Sequence, residues 1–183
     1  MYPLPHSTRQ IAAALRWFSL LCIVGLAGAA LYLCFNTDQL VEEARENVLT
    51  DAVAGIGLWE IGLAGRAALA ALGVIGLAIM GFILWHMARL FAHFAAGESI
   101  SPAIARHTRL VGLGFLLRGV YSVVSHTLTG LALSIDAPVG HRVLAVRFET
   151  NDAWFLLSGG MLMIIGLVMQ QALALKAENE GFV

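Results

Sequence analysis

The chain has 183 residues, 59% of them apolar and only 13% charged, with a mean hydropathy of +0.81. Globular domains run nearer about 45–50% apolar and 25% charged, and no sphere of this size hides so much apolar surface from water, so an ordinary water-soluble domain is excluded. The 11 Lys and Arg against 12 Asp and Glu leave no basic surface of the kind nucleic acid requires, so direct DNA or RNA binding is not expected.

A helix crosses the hydrocarbon core with about 20 mostly apolar residues, because each adds about 1.5 Å and every backbone polar group must be paired internally. Four stretches qualify, 17–35, 67–88, 110–135 and 153–175, and Arg118 is the only Asp, Glu, Lys or Arg inside them. With their polar ends the spans read as 14–35, 67–90, 109–134 and 153–175 in one membrane domain over 1–183. The expected fold is all-α, a four-helix transmembrane bundle. Basic residues in short loops favour the cytoplasmic side. With both termini inside, that side carries Arg9, Arg16, Arg89, Arg106, Arg109 and Lys176, and the outer side Arg45, Arg66, Arg142 and Arg147. Six against four, with most acids outside, places both termini in the cytoplasm.

In the first run, Ala27-Gly28-Ala29 has the small-x-small spacing of a signal-peptide cleavage site. The run continues to Phe35, however, and is long enough to span, so it reads as a helix that stays. Cys22 and Cys34, both in this run, fit neither a metal pair nor a redox CxxC and read as packing residues.

In the first loop, Asn36 or Thr37 caps a helix opening at Asp38. Leu40, Val41, Ala44, Val48 and Ala52 recur at helical spacing, while Glu42, Glu43, Arg45 and Glu46 face elsewhere. This predicts an amphipathic helix on the outer membrane surface or over the bundle. The acidic run looks like the EExxxR motif of intramembrane prenyl-type proteases, but Asn47 stands where the Arg should be. Trp59 reads as an interface anchor.

The connection between the second and third spans ends one helix at Gly97-Glu98. It restarts the next at Ser101-Pro102, with Ser101 as N-cap and Pro102 at the first helical position. A third helix from Pro102 to about Leu133 is longer than a bilayer needs. The hairpin is therefore expected to protrude into the cytoplasm and expose Arg89, His93, Glu98, Arg106, His107 and Arg109, either as a solvated end or as a docking surface. Before the fourth span, Ala137-Pro138-Val139-Gly140 reads as a turn and Arg142–Thr150 as a short extended segment, with Asn151 or Asp152 capping the last helix.

Ionisable residues inside a membrane are costly and so are functional candidates by default. On a helix of 3.6 residues per turn, Arg118, Ser122, Ser125 and Thr129 share one face, with His126 at its edge. Such a stripe faces inward, where Gln170 and Gln171 are expected at a similar or shallower depth, ready to accept from the guanidinium. It is either a pocket for a ligand, a lipid headgroup or an ion, or an interhelical clamp. His86 and His93 share a face, but His126 sits at another depth, and no HExxH or Cys/His cluster occurs, so no metal or cofactor is expected. No GxSxG motif or rhomboid-like Ser/His pairing points to an enzyme either. Glycines at 73, 76 and 81, at 112, 114 and 119, and at 159 and 160 permit close helix approach, within the chain or in a homo-oligomer.

Four features recur together: the Arg-flanked LRWFSLL, the run Phe94-Ala95-Ala96-Gly97-Glu98-Ser99-Ile100-Ser101, the outer segment APVGHRVLAVRFETND, and a glycine-bearing last helix ending in Leu175, Glu178, Asn179, Phe182 and Val183. In this the chain resembles the bacterial membrane proteins grouped as domain-of-unknown-function family 2975, over nearly its whole length. Many members carry Phe where this chain has Ile100. The resemblance implies a four-helix inner-membrane protein and, as partner, a small Xre-type helix-turn-helix regulator in the cytoplasm. The expected function is that of a non-enzymatic regulatory or sensor protein held in membrane lipid. Gly97, Glu98, Ser101, Arg106, Arg109, Glu178 and Phe182 are its candidate partner surface. The alternatives are a small oligomeric channel or carrier, and an accessory subunit of a larger membrane complex.

Overall fold

A computed structural model describes residues 5–49, 61–98, 100–135 and 146–180. Its elements are helices: α1 (His6–Phe35), α2 (Thr37–Leu49), α3 (Leu63–Ala95), α4 (Pro102–Leu133) and α5 (Thr150–Glu180). Helices α1, α3, α4 and α5 are each long and apolar enough to cross a membrane, which makes the chain a multi-pass helical membrane protein. At 30 to 33 residues they reach about 45–50 Å, well beyond a hydrocarbon core of about 30 Å.

Local chemistry sets the helix ends. α1 stops at Asn36, whose backbone N–H and side-chain amide both return to the Tyr32 carbonyl, at 2.9 and 3.2 Å. α3 closes in a Schellman turn: Gly97 takes φ +89°, its N–H bonds Phe94 O at 3.0 Å, and the Glu98 N–H bonds His93 O at 3.1 Å. Arg9 donates from Nε to Ala95 O at 3.1 Å, setting a cation at the negative end of α3. α4 starts as its sequence predicts, with Ser101 Oγ accepting from the Ile104 N–H at 3.3 Å and proline in the first turn. The N-terminus of α1 and the C-terminus of α5 thus lie at the same end of the molecule as the α3–α4 turn.

The four spans form an open row. α1 packs on α3, α3 on α4 and α4 on α5, whereas among the described residues no close backbone approach joins α1 to α4 or α5, or α3 to α5. The expected bundle is therefore an arc that does not close. The physical reason lies in the solvent: lipid tails are as apolar as leucine, so no hydrophobic force drives the outer helices together. Trp17, Phe18, Leu21 and Val24 on α1, and Trp154, Leu157, Met161 and Ile164 on α5, are exposed over most of their surface. In water such faces would aggregate; against lipid they are at rest. α4, the most polar of the four, has the most buried residues, among them Ile104, Ala105, Thr108, Val111 and Gly112.

Glycine sets the closest crossing. A Cβ on Gly112 would lie 2.6 Å from Met163 N, one on Gly159 2.7 Å from Leu116 N, and one on Gly166 2.8 Å from Arg109 N. Gly76 on α3 instead receives the Tyr121 ring, whereas Gly81 and Gly160 face open space. α2 lies over the end of the arc and not beside it, burying Val41 and Ala44 against Ile61, Leu69, Ala132 and Leu133. Arg66 ties it down further, donating to Asp38 and, from Nε, to Ile61 O at 3.1 Å.

Two expectations change. The segment expected to be extended gives way to helix by Thr150, and residues 146–149 are neither helix nor strand; residues 142–145 are outside the described residues. Asp152 is not the N-cap of α5 but stands three residues after Glu149, reaching back to its N–H at 2.8 Å in the manner of a capping box. Its side chain is almost fully buried there. The turn at Ala137–Gly140, Trp59 and Phe182 lie outside the described residues.

Candidate intramembrane site

The concave side of the arc holds an open-sided cavity of about 650 Å³. One wall is polar and comes from α4: Arg118, Ser122, Ser125, His126 and Thr129, the stripe that helical spacing puts on one face. Facing it are apolar side chains of α1 and α3, including Leu26, Leu33, Leu72, Leu77 and Met80. Glu43 of α2, and Glu149 and Asn151 at the start of α5, complete the rim.

Arg118 is half-buried and held by ring faces. Its guanidinium carbon lies 5.5 Å from the centre of Phe155 and 5.9 Å from that of Tyr121, both within cation–π reach. Tyr121 is itself fixed by a hydrogen bond from its hydroxyl to Leu72 O on α3. Among the described residues no carboxylate reaches Arg118. At the rim, His126 Nε2 is 3.5 Å and Arg147 Nε 3.1 Å from the same Glu149 oxygen. Within the stripe, Ser125 Oγ donates to Ser122 O at 2.9 Å.

Gln170 is not part of this site. It accepts from Arg109 Nη1 at 3.3 Å, near the α3–α4 turn. The antiparallel register explains the difference: Gly166 meets Arg109 and Gly119 meets Leu156 and Asp152, so Arg118 lies level with Phe155, more than three turns from Gln170. Tyr121 and Phe155 were not singled out from the sequence; the i, i+3 spacing of Arg118 and Tyr121 is the signal that points to the first.

The residues of the expected partner surface gather at the other end. Gly97 shapes the turn and Ser101 caps α4. Glu98, Arg106, Arg109 and Glu178 are exposed. His93 and His107, expected to be exposed, are half-buried in a row of imidazoles. His86 and His107 approach to 3.1 Å between Nδ1 atoms, and the His93 ring centre lies 5.8 Å from that of His107. At 3.1 Å one of the two nitrogens must carry a proton and the other a lone pair. His93 Nδ1 also meets Glu98 at 3.1 Å. Among the described residues no three His, Cys, Asp or Glu side chains converge to hold a metal ion.

Four long apolar helices around a polar-walled cavity define the class, a multi-pass helical membrane protein. Comparison with known proteins takes this no further: no family model matches the chain, and neither a characterised protein nor a solved structure is similar to it.

Proposed function

We propose that the protein is a bacterial inner-membrane sensor of regulatory type, with both termini and the α3–α4 turn in the cytoplasm. Occupancy of the intramembrane cavity sets the posture of the turn for a small cytoplasmic regulator. The observation that carries this reading is the continuity of α4: the same 32-residue helix lines the cavity with Arg118 to Thr129 and supplies Arg106 and Arg109 at its other end. A ligand that binds one arrangement of α3 and α4 better than another shifts the population of the turn by that difference in affinity and by no more.

The resemblance to domain-of-unknown-function family 2975 supports the choice of partner, a helix-turn-helix protein of Xre type. The exposed face of Glu98, Arg106, Arg109 and Glu178 carries both signs of charge for it to read. Co-purification of the full chain from detergent is expected to recover such a protein, and deletion of the gene is expected to change transcription of the regulator's targets. Recovery of no helix-turn-helix protein together with unchanged transcription overturns the reading.

The open arc favours a second reading, an oligomeric channel or carrier in which copies close around one another. Gly25 and Gly28 on α1 face open space where a neighbouring helix fits closely. Ion or solute flux in proteoliposomes, abolished by Arg118→Leu, would replace the first reading with this one.

A further inference from the structure

We infer that the cavity is a site for an anionic amphiphile, one carboxylate or phosphate head on an apolar chain, with Arg118 taking the head. The inference rests on the sensor reading and names its ligand class.

The guanidinium is the starting point. It carries five N–H donors and a permanent charge. Among the described residues it meets two ring faces and neither a carboxylate nor a hydrogen-bond acceptor. Ring faces satisfy the charge in part and leave the planar edge free for the paired N–H bonds that a carboxylate or phosphate accepts. A cation set within a membrane span without a counter-charge is costly, so an anion arriving there gains more than it would at a solvated arginine.

The wall acids do not take that place. Glu149 is engaged by His126 and Arg147, and His126 stands eight residues along α4 from Arg118, about 12 Å of helical rise. The rim is thus acidic and partly neutralised, while the deep position is cationic and open.

The opposite wall selects the rest of the ligand. Leu26, Leu33, Leu72, Leu77 and Met80 offer an apolar track beside the stripe, and the volume falls in the range of small-molecule pockets, about 300–1,000 Å³. Among the described residues α1 makes no close backbone approach to α4 or α5, and this gap on the concave side gives an acyl chain a way in from lipid without crossing the headgroup layer. Inorganic phosphate matches Arg118 but leaves the leucine wall unfilled. A neutral amphiphile fills the wall but leaves Arg118 without its anion. Only the two properties in one molecule satisfy both walls.

The test is thermal unfolding of the full chain in a non-ionic detergent with four additions: oleate, dodecyl phosphate, oleyl alcohol and inorganic phosphate. Oleate and dodecyl phosphate are expected to raise the midpoint with concentration; the other two are not. Arg118→Gln is expected to weaken the response about tenfold or more, and Arg118→Lys, which keeps the charge but loses the planar fork, to weaken it less than Arg118→Gln does. Where Arg118→Gln does not fold, Ser122→Phe, which fills the cavity and leaves Arg118 in place, is expected to give the same loss. An equal response to oleyl alcohol, or an unchanged response in both Arg118→Gln and Ser122→Phe, overturns the inference, as does a response to inorganic phosphate alone. Native mass spectrometry from nanodiscs containing either oleate or phosphatidylglycerol tells which source supplies the head. Binding that depends on Arg118 without recovery of a regulator would leave this site standing and remove the sensor reading; recovery of a regulator without such binding would do the reverse.

Discussion

Gly112 on α4 and Met163 on α5 cross so closely that a single methyl group on the glycine would stand 2.6 Å from the Met163 backbone nitrogen. The obstacle is main chain, which cannot swing aside as a side-chain tip can. Gly112→Ala is therefore expected to lower stability in detergent by about 1–3 kcal/mol through overpacking. Gly160, one residue beyond Gly159 in α5, faces open space, and Gly160→Ala is expected to be neutral or slightly stabilising, since alanine is the better helix former. Thermal unfolding followed by circular dichroism compares the two. Equal effects would mean that α4 and α5 do not cross at this point.

Burial and charge both hold α2 over the arc, and their magnitudes differ. Leu69 is 4% exposed beneath Val41 and Ala44, so Leu69→Ala is expected to cost about 2–5 kcal/mol and to open α2 to protease. The Asp38–Arg66 pair has side-chain exposures of 83% and 37%, and an exposed pair contributes only about 0.2–1 kcal/mol. Asp38→Asn is accordingly expected to leave proteolysis of α2 nearly unchanged. The reverse order would make the ion pair the clasp.

The α3–α4 turn has an acid-sensitive bond. Hydrogen bonds from His93 and then Ser101 hold the Glu98 carboxyl below the ordinary glutamate range. A carboxyl depressed in the folded state stabilises the turn fully above its unfolded pKa and loses that contribution as the pH falls through the folded value. The Gly97 amide resonance is expected to move with an inflection below the usual glutamate range, and Glu98→Gln is expected to abolish that inflection. An inflection that survives Glu98→Gln would assign the titration to another group.

What was legible in the sequence follows from the range of the physics. The spans are local: about 20 apolar residues declare themselves without reference to neighbours. So is the stripe, because Arg118, Ser122, Ser125 and Thr129 share a face by helical period alone, and the cavity lies along that face. The pairing of Gln170 is not local. It depends on how far α5 slides along α4, which glycine contacts at 112, 159 and 166 decide and residue counting from helix ends does not. His107 joins His86 through the α3–α4 register for the same reason. The open arc was hidden more deeply, since apolar helices in water must close around a core and in lipid need not.

The side of the membrane on which the ends lie rests on a narrow difference in basic residues, which makes it a sensitive point to test. The α3–α4 turn shares an end of the molecule with the α1 N-terminus and the α5 C-terminus, so one reporter fixes all three. In the proposed orientation, which puts six basic residues inside against four outside, a C-terminal green fluorescent protein is expected to fluoresce and a C-terminal alkaline phosphatase to be inactive. Arg89 and Arg106 are both exposed near the turn. Replacing both with glutamine leaves four against four, and that variant is expected to insert in both orientations and to show activity from both reporters. Phosphatase activity in the unaltered chain would place the turn and both termini outside, and no cytoplasmic regulator would then reach Arg106 or Arg109.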